Sequence, residues 1–271
     1  WVKRDLRFVV ISGSDLPQGW IGKTWALQQL YMKSSGEIII SIDADVRLQP
    51  NALASSIAAM GDLSFFSSYP AQQTGTFAER LIQPLLQWSW LSSVPLKYAE
   101  KSANPAFAIA NGQFFIVQKA ALEKIGGYEL IKSEVLDDIE LARALIKSGV
   151  RGAAGNGAHV ATCHMYSSWS EIKAGYGKSL WKAFGGKVGT ANAIALVALS
   201  GIVPFIFALT GSLFGILGYG AIVLSRIIAA QITGGKILSC FLHPLSSALL
   251  IYLIIYSQRN HQQIQWKGRT L

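Results

Sequence analysis

Ile38-Ile39-Ile40-Ser41-Ile42-Asp43-Ala44-Asp45-Val46 combines a continuous apolar run with two carboxylates one residue apart. A strand buried on both faces needs apolar side chains throughout rather than in alternation, so the run predicts a buried strand that ends at Asp43. In open α/β sheets, ligands bind at the carboxyl ends of the strands. The stretch therefore predicts an α/β domain with a binding site at Asp43 and Asp45.

The segments around this strand extend the α/β pattern. Residues 8–11 predict a short buried strand and residues 23–32 a helix. Residues 50–60 predict a second helix, with proline in its first turn, and residues 63–69 a further strand. Strands alternating with helices are typical of a parallel sheet. The fold class predicted is therefore α/β with a mostly parallel central sheet.

Charge is distributed unevenly along the chain. The sequence has 271 residues and a net charge of +9, is 51% hydrophobic, and is only 14% charged. All 15 acidic residues precede residue 188, whereas residues 188–271 hold five basic ones. A soluble-type domain over 1–187 followed by a membrane region over 188–257 and a basic tail over 258–271 accounts for this asymmetry.

The basic balance favours an anionic membrane surface and phosphate-bearing substrates. No run of Lys or Arg interleaved with aromatic residues marks a nucleic-acid groove, so no nucleic-acid partner is expected. Cys163 and Cys240 give neither a disulfide framework nor zinc-ligand spacing, which favours a reducing, cytoplasmic environment for the domain.

The membrane region holds three apolar segments, at residues 192–209, 213–232 and 237–256. Arg226 and Lys236 indicate that the second segment ends on the cytoplasmic side. Three full spans would then put the basic tail outside, against the positive-inside tendency. Two or three spans therefore remain open, with one middle segment re-entrant as the alternative.

Two aromatic stretches precede the membrane region. Residues 168–184 predict an amphipathic helix with lysines beside aromatic residues, which is typical of a helix lying on a membrane surface; a plain surface helix is the alternative. Residues 77–98, rich in Leu, Trp and Pro, fit either a core helix or an aromatic surface at the bilayer interface.

Asp43 and Asp45 are hard oxygen ligands at a strand end, which suit Mg²⁺ or Mn²⁺ bridging to a diphosphate. The alternative is a solvated turn. The stretch from Gly19 to Leu27, GWIGKTWAL, places Lys23 in the first turn of a helix, where it could bind phosphate. Its spacing differs from that of a P-loop, and an ordinary loop-to-helix turn is the alternative.

A third motif, VLDDIEL at residues 135–141, supports two interpretations. Asp137 and Glu140 could cap a helix. Alternatively, Asp138 is a general base that deprotonates an acceptor hydroxyl. The stretch Asn111-Gly112-Gln113-Phe114 could let an acceptor approach the backbone.

Taken in order, GWIGKTWA, IDADV, NGQF, IGGYE and LDDIELA, followed by an amphipathic helix and apolar segments, resemble glycosyltransferase family 2, the inverting enzymes of the GT-A fold. The resemblance covers most of residues 8–187. The membrane-bound carotenoid- and hopanoid-associated members are the most similar, since their C-terminal end resembles Trp266-Lys267-Gly268-Arg269.

The resemblance implies roles for individual residues. Asp43 and Asp45 match the metal- and diphosphate-binding DxD motif, and Asp138 the catalytic base, with Asp137 beside it. Lys23 falls in the donor-proximal loop. Gly112 and Gln113 would line the acceptor side.

Two features depart from the family pattern. The family's first strand and its nucleotide-reading Asp are absent, so the front of the domain is expected to be missing. The Gln-x-x-Arg-Trp motif is not clearly present; in the nearest stretch, at residues 177–181, Lys178 replaces the Arg and one extra residue precedes Trp181.

The function implied is transfer of a sugar, with inversion, from a UDP- or GDP-sugar to a membrane lipid, assisted by Mg²⁺ or Mn²⁺. The protein would lie in a bacterial inner membrane with its catalytic domain in the cytoplasm. Two alternatives remain: a haloacid-dehalogenase-like phosphatase with Asp43 as nucleophile, and a catalytically silent membrane protein that binds lipid or a partner.

Overall fold

A computed structural model describes residues 7–260 and the backbone of two short strands beyond them. In chain order the strands are β1 (Ile38–Ile42), β2 (Val46–Leu48), β3 (Phe65–Tyr69), β4 (Ala71–Gln72), β5 (Phe114–Gln118), β6 (Gly152–Asn156), β7 (Ala161–Cys163), β8 (Gln265–Trp266) and β9 (Arg269–Thr270). The helices are α1 (Gly22–Lys33), α2 (Ala52–Met60), α3 (Phe77–Ser93), α4 (Leu96–Lys101), α5 (Lys119–Lys124), α6 (Asp137–Lys147), α7 (Trp169–Ala183), α8 (Lys187–Gly201), α9 (Val203–Leu209), α10 (Leu213–Thr233) and α11 (His243–Asn260). Residues 1–6 and most of the tail, including Lys267 and Gly268 of the predicted C-terminal likeness, lie outside the described residues.

The central sheet has the strand order β1-β5-β3-β6. Strand β5 runs antiparallel to both of its neighbours, β1 and β3. Of the three pairs of neighbouring strands in this sheet, only β3 and β6 are parallel. The prediction of a mostly parallel sheet is therefore wrong, although the α/β class is confirmed. After α3 and α4 the chain returns to the end of the sheet at which β3 finishes, so β5 enters between β1 and β3 in the reverse direction.

The predicted strand at residues 8–11 is also wrong. These residues form no ladder in the described chain, and Val9 and Val10 are 76% and 80% exposed. An apolar run becomes a strand only where a neighbouring strand accepts its hydrogen bonds. Strand β1, for its part, pairs with β5 alone among the described strands and forms one edge of the sheet.

Both faces of the central sheet are covered, as the unbroken apolar pattern predicts. Along β5, Phe115 and Val117 pack with helix residues such as Leu145, while Phe114 and Ile116 pack on the opposite face. This alternation follows from the two-residue period of a strand. Helices α1, α5 and α6 cover one face and α2 covers the other.

Helix α6 begins at Asp137, the first of the three acidic residues in its first turn. Its N-cap is Leu136, without a side-chain cap, and Glu140 pairs with Arg143 instead of capping. The capping alternative for Asp137 and Glu140 is therefore wrong. Carboxylates are favourable at a helix N-terminus, and here they are available for other contacts.

Within the part of the chain that the structure describes, three helices are long and apolar enough to cross a membrane: Lys187–Leu209, Leu213–Thr233 and Ile237–Asn260. Helix α3 joins them to the α/β domain; it packs in the core, as one of the two alternatives for residues 77–98 predicts, and the bilayer-interface alternative stays a prediction. Trp90 is 8% exposed in the core, whereas Trp88 reaches α10, where its Nε1 donates to Ser225 Oγ over 2.9 Å.

Candidate active site

A small cleft, open to solvent, lies at the carboxyl end of β1. Strands β1 and β5 are antiparallel with Ile42 opposite Phe114, so the end of β1 adjoins the loop that precedes β5. The end of β1 and the loop before β5 thus form two sides of the cleft, and the start of α6 forms a third. The residues that line the cleft are Lys23, Leu27, Ser41, Ile42, Asp43, Gly112, Phe115, Tyr128, Asp137, Asp138 and Leu141.

Lys23 bridges two of the acidic segments. Its Nζ lies 3.4 Å from Asp43 Oδ1 and 3.2 Å from Asp137 Oδ2. Burial opposes the charged ammonium, but the carboxylates of Asp137, Asp43 and Asp138 outweigh it and raise the pKa of Lys23. The motifs IDAD, LDD and GWIGK, which are far apart in sequence, therefore meet at one ammonium group.

The loop that carries Lys23 is fixed to the segment before α6. The Thr24 hydroxyl donates to the carbonyl of Lys132 over 2.6 Å, and the Ile21 N–H donates to the same carbonyl over 2.8 Å. Gly19, with a φ of 81°, makes the turn that brings this loop back. These bonds position α1 so that its first turn faces Asp137.

Asp138 is held by two backbone donors. Its Oδ2 accepts from the Gly112 N–H over 2.8 Å, and its Oδ1 accepts from the Ile139 N–H over 2.9 Å. Burial, and then the neighbouring charge of Asp137, raises the pKa of Asp138 to about 6, although Lys23 and the two N–H groups oppose the rise. A carboxyl with such a pKa exchanges a proton near neutral pH, which suits a general base.

The two carboxylates of the DxD stretch face different surroundings. Burial raises the pKa of Asp43, Lys23 counteracts the rise, and Asp137 and Asp45 add to it. Asp45 interacts instead with the buried thiol of Cys163, whose pKa burial and Asp45 together raise to about 12. Oδ1 of Asp45 is buried without a hydrogen-bond partner among the described residues.

Asp43 and Asp45 are the predicted ligands of a Mg²⁺ or Mn²⁺ ion. Among residues 7–260, no three His, Cys, Asp or Glu side chains converge on a common point. Mg²⁺ is, however, often held by one or two carboxylates and completed by substrate phosphates and water. Two carboxylates in one turn, one of them with an unpaired buried oxygen, fit that mode of binding. The metal itself stays a prediction.

Of the two predicted acceptor-side residues, only Gly112 lines the cleft. The Gln113 side chain is 4% exposed, and its Oε1 accepts from Gln72 over 2.8 Å and from Asn111 over 3.3 Å. The Gln113 carbonyl accepts from the Asp43 N–H over 3.0 Å. Gln113 therefore lies behind the cleft and fixes the backbone of Asp43. Its role toward an acceptor stays a prediction.

Lys178 of α7 is a cation that the motif analysis did not assign to the site. Burial lowers the pKa of its ammonium, and Asp137, Asp138 and Asp43 counteract that shift while Lys23 adds to it. Lys178 therefore lies within electrostatic range of Asp43, Asp137 and Asp138. The sequence signal for Lys178 is its place in residues 177–181, the stretch nearest to the Gln-x-x-Arg-Trp motif, which has one extra residue before Trp181.

The sequence profile of glycosyl transferase family 21 matches residues 5–176, more than half of the chain. The chain belongs to glycosyltransferase family 21. The matched range contains all seven predicted site residues and ends within α7, two residues before Lys178. The prediction of a glycosyltransferase is confirmed, whereas the finer resemblance to family 2 and the GT-A fold is not confirmed.

This family 21 chain is also similar to a "Probable glycosyltransferase" of Sulfolobus acidocaldarius (strain ATCC 33909 / DSM 639 / JCM 8929 / NBRC 15157 / NCIMB 11770). The two are 29% identical over 133 residues, which make up 47% of this chain and 27% of that protein. The chain therefore spans about a quarter of the length of that relative.

Proposed function

We propose that this chain transfers a sugar from a UDP- or GDP-sugar to a membrane lipid, in a single in-line displacement that inverts the anomeric centre. The observation that carries the proposal is the cleft that Asp138, a carboxyl with a pKa of about 6, lines together with Asp43. A domain of the GT-A type, related to family 2, is part of the proposal.

Asp138 is the proposed general base. The Gly112 and Ile139 N–H groups fix both of its oxygens, so its orientation in the cleft is set before a substrate binds. With a pKa of about 6 it is largely ionised at pH 7, yet basic enough to accept the proton of a lipid hydroxyl as the new bond forms. For a carboxyl acceptor, it would need only to orient the group. Asp137 beside it raises its basicity.

Asp43 and Asp45 are the proposed ligands of a Mg²⁺ or Mn²⁺ ion. Such an ion would neutralise the diphosphate of the donor and stabilise the departing nucleoside diphosphate. The unpaired Oδ1 of Asp45 and the hard oxygen donors of both residues support this assignment.

Lys23 is the proposed positive partner of the donor phosphates. Without substrate its ammonium neutralises Asp43 and Asp137, and its side chain is 41% exposed. It therefore lies at the mouth of the cleft, where an incoming phosphate could replace Asp43 as an ion-pair partner of its ammonium group. This exchange would let Asp43 turn toward the metal.

The acceptor is proposed to be a membrane lipid, of the carotenoid or hopanoid kind or another, because the catalytic domain is joined directly to three apolar helices. The catalytic domain is proposed to lie in the cytoplasm, at a bacterial inner membrane. Arg226 and Lys236 lie toward the end of α10 that contacts this domain, and basic residues concentrate on the cytoplasmic side of a membrane. Membership of family 21 favours this function over the phosphatase and the silent-protein alternatives.

The test uses membranes that contain the protein, a panel of labelled UDP- and GDP-sugars, and analysis of the lipid extract. We expect labelled lipid with Mn²⁺ or Mg²⁺ and none with EDTA. Asp43→Ala and Asp138→Asn should each lower the rate of product formation by roughly 10²-fold or more, while Asp62→Asn, at an exposed loop position, should not. A rate close to that of the wild type in one variant refutes the role of that residue. A phosphorylated Asp43 trapped with a phosphate ester would support the phosphatase instead.

A further inference from the structure

The loop that precedes β5, residues 111–113, lies between the ends of two other strands. In the ladder of β1 with β5, the last pair is Ile42 with Phe114. In the ladder of β3 with β5, the last pair is Ser67 with Phe115. The loop therefore has a strand end on each side, and its contacts with those two strand ends determine its conformation.

Two carboxylates of the candidate active site depend on the backbone of this loop. The Gln113 carbonyl accepts from the Asp43 N–H over 3.0 Å. The Gly112 N–H donates to Oδ2 of Asp138 over 2.8 Å. Because Gly112 and Gln113 are consecutive, a change in the conformation of the loop would displace both carboxylates.

On the β3 side, the loop is held by one hydroxyl group. Ser67 Oγ accepts from the Asn111 N–H over 2.7 Å and donates to the Asn111 carbonyl over 3.0 Å. The Ser67 side chain is thus bonded to both backbone groups of Asn111, where the ladder between β3 and β5 has ended. Buried backbone groups that lose such a partner are costly, so this hydroxyl fixes the position of Asn111.

The side chain of Asn111 fixes the turn itself. Its Oδ1 accepts from the Gln113 N–H over 2.8 Å, and its Nδ2 donates to Gln113 Oε1 over 3.3 Å. An asparagine that bonds to the backbone N–H two residues further on closes a turn of its own. This turn encloses Gly112, whose N–H is left to donate to Asp138.

Neither Ser67 nor Asn111 lines the cleft. Ser67 is 0% exposed and Asn111 is 8% exposed. A substrate in the cleft would therefore meet Gly112 and the carboxylates but not these two side chains. Any effect of Ser67 and Asn111 on the reaction must pass through the backbone of the loop.

From these contacts we infer that Ser67 and Asn111 are positioning residues, which hold residues 111–113 in the conformation that aligns Asp138 with Asp43. The catalytic part of this inference rests on the proposed function, whereas the hold on the loop is a property of the protein without substrate. Misplacement of a reacting group by about 1 Å can cost roughly 10²-fold in rate. Loss of either side chain should therefore slow the reaction without removing any group that binds substrate.

The first test measures amide hydrogen exchange in detergent, without substrate. In Asn111→Ala and in Ser67→Ala, the amides of Gly112, Gln113 and Asp43 should exchange about five- to tenfold faster than in the wild type, because each depends on the turn. Exchange at the wild-type rate at all three amides would overturn the inference, whatever reaction the protein catalyses.

Ser56→Ala is the matched control for that measurement. Ser56 is 3% exposed, lies on α2, and among the described residues its hydroxyl contacts only Ser68 Oγ, at 3.5 Å. The substitution removes a buried serine hydroxyl next to the same strand but leaves the loop untouched. Equal acceleration at Gly112 in Ser56→Ala would show general loosening of the domain, and that result would also overturn the inference.

The second test compares kcat with KM. Asn111→Ala should lower kcat by about tenfold or more and leave the KM for the nucleotide sugar within about twofold, the pattern of an interaction made only in the transition state. Asn111→Ser should recover part of the loss, because a serine hydroxyl can form the same turn bond more weakly. Wild-type kcat in Asn111→Ala, or an increase in KM alone, would contradict a positioning role.

Asp138→Asn in the same assay separates this inference from the proposed function. If Asp138→Asn is slow while Asn111→Ala and Ser67→Ala keep the wild-type kcat, the inference fails and the proposed function stands. If Asp138→Asn keeps the wild-type rate, the proposed base is wrong and the catalytic part of the inference fails with it. In that case the exchange measurement still decides whether the two side chains hold the loop.

Discussion

The backbone N–H of Gly112 donates a 2.8 Å hydrogen bond to Oδ2 of Asp138. This bond joins the loop before β5 to the start of α6 and sets the direction of the proposed base. A Cβ at Gly112 would lie 3.0 Å from the Nζ of Lys23 and 3.4 Å from the Cβ of Asp138. The absence of a side chain there is what lets the ammonium, the carboxylate and the loop come together.

We therefore expect Gly112→Ala to lower kcat by about tenfold or more, which corresponds to ~1.4 kcal/mol of transition-state stabilisation. The added methyl group would displace Lys23 or tilt Asp138 without unfolding the domain. The measurement is transferase activity beside a thermal unfolding curve. Gly36→Ala is the matched control, because its Cβ would meet its nearest neighbour, the Ile38 carbonyl, at 3.6 Å. Unchanged activity in Gly112→Ala would contradict the arrangement.

The raised pKa of Asp138 predicts an acid limb in the pH–rate profile. Only the ionised carboxylate accepts a proton, so activity should fall tenfold per pH unit as the pH drops below about 6. Asp138→Asn should lower kcat by roughly 10²- to 10⁴-fold. Glu140→Gln changes a carboxylate on the same helix turn that pairs only with Arg143 among the described ion pairs, and should retain the wild-type profile. A limb near pH 4 would argue against Asp138 as the base.

Removing Lys23 should move that acid limb upward. Its ammonium lowers the pKa of Asp138, so in Lys23→Gln the burial and the charge of Asp137 act with less opposition. The limb should then shift to higher pH, whereas Lys23→Arg should keep it close to the wild-type position. Lys132→Gln, which removes a surface ammonium paired with Glu129, is the control. An unshifted limb in Lys23→Gln would show that Lys23 does not act on the base.

Five of the residues chosen from the sequence, Lys23, Asp43, Gly112, Asp137 and Asp138, line one cleft, whereas the sheet differs from its prediction. Asp43, Asp137 and Lys23 could be associated because a strand end and two helix starts are recognisable from local patterns. The direction of β5 could not be predicted, because it depends on how the chain returns from α3 and α4. An apolar run such as β1 is compatible with either parallel or antiparallel neighbours.

Strand β6 was missed for a different reason. Its sequence, Gly152-Ala153-Ala154-Gly155-Asn156, has the composition of a loop. The small residues are required because the aromatic rings of β3 lie over them. A Cβ at Gly152 would meet the Phe65 ring at 2.2 Å, and one at Gly155 would meet the Phe66 ring at 2.4 Å. Only the neighbouring strand reveals why these positions are small.

Gly152→Ala should therefore lower the free energy of unfolding by about 1–3 kcal/mol, the usual cost of overpacking a core. Phe65 is 1% exposed and stacks on Phe115 at 5.6 Å, so its ring has little room to move. Denaturant unfolding in detergent is the measurement. Adding Phe65→Leu to Gly152→Ala should restore part of the loss, and an additive double variant would argue against the contact.

Helix α3 of the catalytic domain is joined by a side-chain hydrogen bond to α10, one of the long apolar helices. Trp88 Nε1 donates to Ser225 Oγ over 2.9 Å, and the guanidinium of Arg226 lies 5.9 Å from the Trp88 ring. Trp88→Phe keeps a ring but removes the donor, and Ser225→Ala removes the acceptor. A double-mutant cycle measured by unfolding in lipid nanodiscs should give a coupling of about 0.5–1.5 kcal/mol.

The control cycle for that prediction pairs Trp88→Phe with Ser200→Ala. The Ser200 hydroxyl donates to the Leu196 carbonyl within α8, so the two substitutions should be additive. Coupling at Ser225 but not at Ser200 would assign the energy to this one bond. If the Trp88–Ser225 cycle is also additive, the bond contributes nothing, and α3 is held against α10 by packing and the Arg226 contact alone.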